Sequence, residues 1–462
     1  MIHQYKLNGY NIVMDTYSGS VHVVDDLAYE IIALYETTST KDIIDGLLNK
    51  YTADPTISEK AIFETIEDIE HLKTTGQLFT EDEYRDLSIH LKKRRTYVKA
   101  LCLNVAHTCN LSCDYCFASQ GKYNGERALM SYQVGKSAID FLLEHSGHHR
   151  NLDIDFFGGE PLMAWKVVKD IVHYARSKEA EYHKKFRFTF TTNGMLLNDK
   201  EMDNVVLSLD GRKEVHDHLR KTVNNKGSYD YIIPKFKRFV EKRGDKEYYI
   251  RGTYTHNNLD FTNDIFHIAD LGFDKLSMEP VICDSSEPYA LTEADLPEIY
   301  HQYEVLAKEM LNLGKNGNSF TFYHYMLDLS EGPCIQKRIS GCGSGTEYLA
   351  VTPWGELFPC HQFVGDKEFS MGNVWAGITK PELQCQFKEN NCYSKEECQK
   401  CWAKLYCSGG CPANTLHATG SLQGTHDFSC DIFRKRVECS MMVKVAETLR
   451  AMEESEYALT EE

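Results

Sequence analysis

Apolar positions along this chain follow three successive patterns. In the first 79 residues, short strand-like runs fall at 3–7, 11–15 and 20–24, with Asn8-Gly9 and Ser18-Gly19 as turn signals between them. A helix over 27–35 comes next; Asp25 or Asp26 can cap it, and Leu27, Ile31, Ile32 and Leu34 lie largely on one face. Helices over 41–50 and 58–74 follow, the second striped by Ile62, Ile66, Ile69 and Leu72. Residues 80–96 lose this periodicity and read as a charged linker, with a basic run at 92–95 that fits a solvated surface.

From residue 97 the pattern alternates strand and helix, as parallel β/α units do. Strands are predicted at 97–105, 152–157, 186–191, 204–209, 248–254 and 275–278, with amphipathic helices at 131–144 and 165–177 among their connections. Six such strands predict an α/β fold, a partial (β/α)6 barrel over 97–300. Unusual residues cluster just after strand ends, where barrels build their active sites. A helix near 293–313 leads into a bridging segment, 301–333. The composition then changes: a cysteine-rich domain is expected over 334–440, with a helix and tail over 441–462. Ten of the sixteen cysteines lie between Cys342 and Cys439.

Composition narrows the reading. An apolar fraction of 42% supports well-filled cores. No window holds the ~18 apolar residues of a membrane span, and the N-terminus lacks a signal-type apolar segment. Sixteen cysteines without an export signal point to metal ligation in a reducing cytoplasm rather than disulfides. A net charge of −17 disfavours a nucleic-acid partner, and no membrane partner is expected.

Cys109, Cys113 and Cys116 form C-x3-C-x2-C in the stretch CNLSCDYC. Three thiolates so placed can hold three irons of a [4Fe–4S] cube and leave the fourth open. Zinc is the alternative, but structural zinc usually takes four ligands in paired units. The spacing resembles the radical SAM signature, in which the open iron chelates S-adenosylmethionine (SAM) and a 5′-deoxyadenosyl radical follows. Gly158-Gly159-Glu160-Pro161 resembles the GGEP motif of the same superfamily. There a backbone carbonyl and the Glu160 carboxylate would accept from the SAM ammonium; alone, the motif could be a tight turn. The resemblance places Tyr115 near adenine, and Ser208 and Asp210 near the ribose. Thr192 and Asn193 are polar contacts on the SAM side. Arg220 and Arg251 suit the SAM carboxylate, though either could make an ordinary ion pair. Cys102, inside an apolar strand, fits packing better than ligation. Cys283 is ambiguous.

Two further patterns fill the cysteine-rich end. Cys342-x12-Gly355-x4-Cys360 is the first; Cys398-x2-Cys401-x5-Cys407-x3-Cys411, then Cys430, is the second. A zinc ribbon is the plain alternative. Together they resemble the SPASM domain of peptide-modifying radical SAM enzymes. That resemblance implies two auxiliary [4Fe–4S] clusters, three clusters in all. Cluster I falls on Cys342, Cys360 and Cys411, with Cys334 an uncertain fourth; cluster II falls on Cys398, Cys401, Cys407 and Cys430. Cys385, Cys392 and Cys439 fall outside the pattern.

Three strands and three helices at the N-terminus resemble a winged helix. The acidic third helix, with Glu64, Glu67, Asp68 and Glu70, weakens a DNA-binding reading. The domain resembles instead the leader-recognition domain of peptide maturases, which binds by strand addition. The opening MIHQYKLNGYNIVMDTYSGSVHVVDD is most similar to maturases of SCIFF peptides. The resemblance implies a thioether between a precursor cysteine and an acceptor carbon, of threonine in SCIFF substrates. It also implies a cysteine-rich precursor peptide and an external one-electron reductant as partners. The alternatives are a sulfatase maturase, which typically lacks the N-terminal domain, a peptide epimerase or carbon–carbon crosslinking enzyme, and a non-catalytic metal-stabilised peptide-binding module.

Overall fold

The computed structural model describes residues 1–93, 95–198, 203–315, 319–329 and 334–460. Arg94 of the basic run, 316–318 and 330–333 of the bridging segment, and 461–462 of the tail lie outside the described residues.

Strands β1 (Ile2–Leu7), β2 (Tyr10–Asp15) and β3 (Val21–Val24) form an antiparallel sheet in that order. Three helices follow, Asp26–Leu34, Thr40–Lys50 and Glu59–Thr74. Each begins on a side chain that accepts a backbone N–H: Asp25, Ser39 and Ser58. The expected stripe Ile62, Ile66, Ile69 packs with Val13, Ile31 and Leu47 in a small separate core.

The expected linker is more than a wet connection. Its helix Tyr84–Lys93 turns Tyr84, Leu87 and Leu91 onto Ile339, Cys392 and Leu405 of the C-terminal region. Asp82 accepts from Tyr393 Oη at 2.7 Å and pairs with the buried Lys404 at 3.3 Å.

The barrel strands fall close to their expected positions: β4 (Ala100–Ala106), β6 (Asn151–Gly158), β7 (Lys185–Thr192), β8 (Asn204–Ser208), β10 (Tyr248–Tyr254) and β11 (Lys275–Pro280). They pair in parallel in that order. Between them, β5 (Leu111–Cys113) and β9 (Arg220–Thr222) form a separate antiparallel ribbon, with Cys113 opposite Arg220. Patterning gave no sign of these three-residue strands.

The same sheet continues past both ends of the barrel. β12 (Thr321–Phe322) joins β11. β13 (Tyr348–Val351) lies parallel to β4, with Leu349 opposite Leu101. β14 (Glu356–Phe358), β15 (Gly372–Asn373) and β16 (Gly377–Ile378) extend it as a meander. The cysteine-rich region is thus stitched to the first barrel strand by backbone hydrogen bonds.

Two expected boundaries fall inside helices. The helix Leu296–Lys315 crosses residue 300, and one continuous helix, Asp427–Thr460, crosses residue 440. The two pack on each other. The long helix also meets the first domain: Tyr5 Oη donates to the Glu438 carbonyl at 2.8 Å, and His3 Nε2 lies 2.9 Å from the Glu438 carboxylate. Among the described residues, no helix is long and apolar enough to cross a membrane.

Candidate functional site

The loop after β4 carries the cysteine tripod, and the chain turns back so that the loop after β6 lies against it. Backbone contact here is close enough to demand glycine. A Cβ on Gly159 would sit 2.1 Å from the Thr108 carbonyl oxygen, and one on Gly158, at φ +129°, 2.4 Å from that of Ala106. Gly159 N–H donates to Ala106 O and Glu160 N–H to Thr108 O. The two glycines therefore seat the tripod loop on the second barrel strand.

Glu160 is fully buried. Its carboxylate accepts from Leu162 N, Thr192 Oγ1 and Asn193 N, each at 2.9 Å. It caps the short turn Pro161–Ala164, with proline at the first helical position, and ties the ends of β6 and β7 together. Asn193 then reaches the tripod loop. Its Nδ2 donates to Asn110 Oδ1 at 2.8 Å and lies 3.6 Å from Cys109 Sγ. Leu111 N–H points at the same sulfur from 3.4 Å. N–H donors aimed at a sulfur favour its thiolate form.

Burial pushes Cys109 up to about 11, with Glu160 and Cys116 adding to the rise. Cys113 is pushed up to about 12 by burial, against the pull of Arg220 and with a further rise from Cys109 and Cys116. Such thiols keep their protons at neutral pH until a metal replaces them. Three cysteines within eight residues, with N–H donors on one of them, suit an iron–sulfur cluster.

Tyr115, Asp210 and Arg220 bond to one another. Asp210 is fully buried; Arg220 Nε reaches its Oδ2 at 2.9 Å and Nη2 its Oδ1 at 3.1 Å. Tyr115 Oη donates to Oδ2 at 2.8 Å, and the Arg220 guanidinium lies 5.4 Å from the Tyr115 ring centre. Thr253 N–H adds a fourth donor at 3.1 Å. The pair ties the tripod loop, the β8 end and the β9 ribbon into one unit. Arg251 does not join it. It is exposed on β10, opposite Ser208, with Glu279, His324 and His361 as its electrostatic neighbours.

In the C-terminal region burial raises several thiols, and other cysteines add to the rise. Cys360 is pushed up to about 12 by burial, then by Cys411 and Cys342. Cys407 is pushed to about 12 by burial, then by Cys430, Cys398 and Cys401. Cys411, although next to the second set in sequence, has Cys342 as its thiol neighbour. Cys334 is exposed at the start of the helix Ile335–Ser340 and is not among the neighbours that raise Cys360 or Cys411. Cys392 behaves otherwise than its place outside the spacing suggests: fully buried, it is pushed to about 12 by burial and then by Cys398. No disulfide links any of the sixteen. Among the described residues, no three Cys, His, Asp or Glu converge closely enough to hold a single ion.

Sequence reasoning missed the residues between the sets. The His361 ring lies 4.8 Å from Phe157 and 5.6 Å from Phe117. His361 follows Cys360 and Phe117 follows Cys116, so adjacency to a ligand was the available signal. Arg436, from the long C-terminal helix, contacts Glu279 at 3.3 Å and also His324. Nothing in the local sequence announces that contact.

Comparison with known proteins agrees with this geometry. Residues 99–234 match the model of a "4Fe-4S single cluster domain". The chain is 25% identical over 370 residues to a cysteine-type anaerobic sulfatase-maturating enzyme of Clostridium novyi, covering 74% of this chain and 95% of that enzyme. The structure of native anSMEcpe with bound AdoMet and the Kp18Cys peptide matches with TM-score 0.62 at 21% identity, over 76% of this chain and 99% of that one. The structure of Streptococcus suis SuiB bound to precursor peptide SuiA matches with TM-score 0.52 at 16% identity, over 93% of this chain and 98% of that one. The fold is a radical SAM barrel-like core with a SPASM-type cysteine-rich region.

Proposed function

We propose that this chain is a radical SAM enzyme that modifies a ribosomally made peptide, forming a thioether between a cysteine sulfur and an acceptor carbon, of threonine in a SCIFF-type precursor. The observation that carries the reading is the seating of the Cys109–Cys116 loop on Gly158 and Gly159, with Glu160 buried beside it and Asn193 reaching Cys109. Cys109, Cys113 and Cys116 would hold the SAM-binding cluster. Cys342, Cys360 and Cys411 would hold one auxiliary cluster; Cys398, Cys401, Cys407 and Cys430 the other. When bound, the SAM-site cluster and SAM supply a 5′-deoxyadenosyl radical able to take hydrogen from an unactivated carbon.

The protein's own groups prepare the site. Glu160 fixes Thr192 and Asn193 at the rim of the tripod loop, where the SAM ammonium would lie. Arg220 is neutralised by Asp210, so Arg251 is the freer guanidinium for the SAM carboxylate. Cys334 is exposed, eight residues before Cys342, and would stand outside the first auxiliary set. That arrangement leaves room for a thiolate from the precursor, held close to the acceptor carbon.

Strand β3 has β2 as its one partner among the described residues, so its outer edge can take an extended leader. Leader binding there raises the effective concentration of the core peptide at the barrel. The sulfatase-maturase reading draws support from the Clostridium novyi relative. Coverage favours a leader-binding enzyme: the SuiB complex with its precursor spans 93% of this chain, the anSMEcpe complex 76%.

Anaerobically reconstituted protein, SAM and a short cysteine-rich precursor should give a product lighter by two hydrogens per bridge, with a sulfur–carbon linkage in its fragment spectrum. The β3 amides should gain protection from hydrogen exchange when leader is added. A formylglycine product, or unmodified peptide despite SAM cleavage, would overturn the thioether reading.

A further inference from the structure

Two lysines are buried beside the auxiliary thiols, and only one has a conventional partner. Lys404 is 1% exposed, yet its charge is answered. Its Nζ lies 3.3 Å from Asp82 Oδ2 and donates to Tyr17 Oη at 3.1 Å and Gln399 O at 3.2 Å. The Tyr17 and Tyr393 rings flank it at 4.7 and 4.9 Å. It joins the linker to the C-terminal region.

Lys395 is 2% exposed and has no carboxylate partner among the described residues. Its Nζ donates to the Gly409 carbonyl at 2.9 Å, inside the run between Cys407 and Cys411. An ammonium has three donors, so that bond leaves two unused. A buried ammonium without a counter-charge is costly and does not persist unless something anionic faces it. Gly409 stands between Cys407 of one auxiliary set and Cys411 of the other, two residues from each, so the ammonium is fixed against the loop that joins the two sets. Neutral thiols supply no counter-charge; thiolates on a cluster do.

We propose that Lys395 is the buried counter-cation shared by the two auxiliary cysteine sets, and that its charge holds their clusters at a higher reduction potential than the thiolates alone would give. A cation close to a cluster favours the form with the extra electron, because charge and hydrogen bonding near the sulfurs tune cluster potentials. Lys395 is bonded to the loop between the two sets, so it should act on both. It is a positioning residue rather than a catalytic one. The inference rests on the cluster assignment above and not on the thioether chemistry.

The test is reductive titration of the loaded full chain with dithionite, followed by electron paramagnetic resonance, without SAM or peptide. Lys395→Met keeps the length of the side chain and removes the charge. It should lower the reduction equilibrium of the auxiliary clusters about tenfold, which is ~59 mV for one electron. Lys395→Arg should restore most of it. Lys404→Met, whose charge is answered by Asp82, should leave it within twofold. An unchanged equilibrium in Lys395→Met, or an equal fall in Lys404→Met, would overturn the proposal. If Lys395→Met takes up no auxiliary iron, iron content in Lys395→Arg decides: uptake supports a charge role and its absence defeats it. A wild-type chain without auxiliary iron would defeat the cluster assignment itself. A wild-type chain that makes no thioether, while Lys395→Met still shows the tenfold fall, would defeat the thioether reading and support this inference.

Discussion

The barrel and the cysteine-rich region hold thiols by different means. Around the tripod, the positioning groups stand on long elements. Glu160 bonds across the ends of β6 and β7, and the Asp210–Arg220 pair locks the β8 end to the ribbon that contains Cys113. Those strands are five to eight residues long and share one large core. Between Ile335 and Thr419, by contrast, no described helix or strand exceeds nine residues. Its first half, through Phe387, shares the barrel's core, whereas the part around Cys392–Leu405 has a small core of its own, built on Ile339, Cys392, Tyr393, Cys398 and Leu405. On the cluster assignment proposed above, that part would depend on its metal for order, much as small metal-bound domains do. The barrel can present its tripod without a metal.

The largest effects follow from removing ligands. Changing Cys109, Cys113 and Cys116 together to Ala should abolish SAM cleavage and lower iron from about 12 to about 8 per chain, because the other sets lie in a different region. Cys342→Ala should lose the first auxiliary cluster and the thioether product. Cys334→Ala should keep all three clusters and most of the product. A bond between the Cys334 sulfur and that cluster, with and without peptide, would defeat this version. Stoichiometric zinc with little iron, under anaerobic preparation, would sink the whole assignment.

Removing the metal should separate the two regions next. In cluster-free protein, amides of 392–411 should exchange far faster than in loaded protein. Amides of β4, β6 and β7 should keep most of their protection, since their order comes from the sheet and its apolar core. Equal loss of protection in both regions would erase the distinction.

Breaking the buried ion pair should do the reverse. Asp210→Asn leaves Arg220 buried without its counter-charge, a change on the order of 3–5 kcal/mol. Urea unfolding followed at the barrel should shift accordingly, while auxiliary iron stays near 8 atoms. A shift of similar size in auxiliary iron retention would mean the two regions fold as one unit.

The sequence made the two regions legible to different degrees. The alternation of strand-like and helix-like runs located the six barrel strands, because each connection is long enough to show its own pattern. Spacing singled out the candidate auxiliary ligands, since Cys398, Cys401, Cys407 and Cys411 are near neighbours in the chain. Contacts between distant segments were another matter. Tyr115, Asp210 and Arg220 were each assigned to SAM, and each is occupied with the others through a ribbon too short to show periodicity. β13 joins β4 across more than two hundred residues, and Cys392 packs beside Cys398 although its spacing fits no ligand pattern. Local patterning cannot report which buried charges meet.

The smallest expected effect concerns one carboxyl on the barrel strand β6. Asp155 is pushed up to about 6, first by burial and then by Asp153. Its folded pKa lies above the unfolded value, so between about pH 4 and 6 the folded state binds more protons than the unfolded one. Stability from this group is therefore present at low pH and lost as pH rises through 6. Two pKa units would carry at most about 3 kcal/mol, and partial exposure reduces that. Asp155→Asn removes the titration. Urea midpoints of cluster-free variant and wild type should agree near pH 4, and the variant should be the more stable at pH 7. Because Asp155 sits on a barrel strand, exchange protection in 342–419 should not change with this substitution. A pH 4 to 7 difference that persists in Asp155→Asn would assign the titration to another group. Altered protection at 342–419 would show that the strand transmits charge across the seam where β13 joins β4.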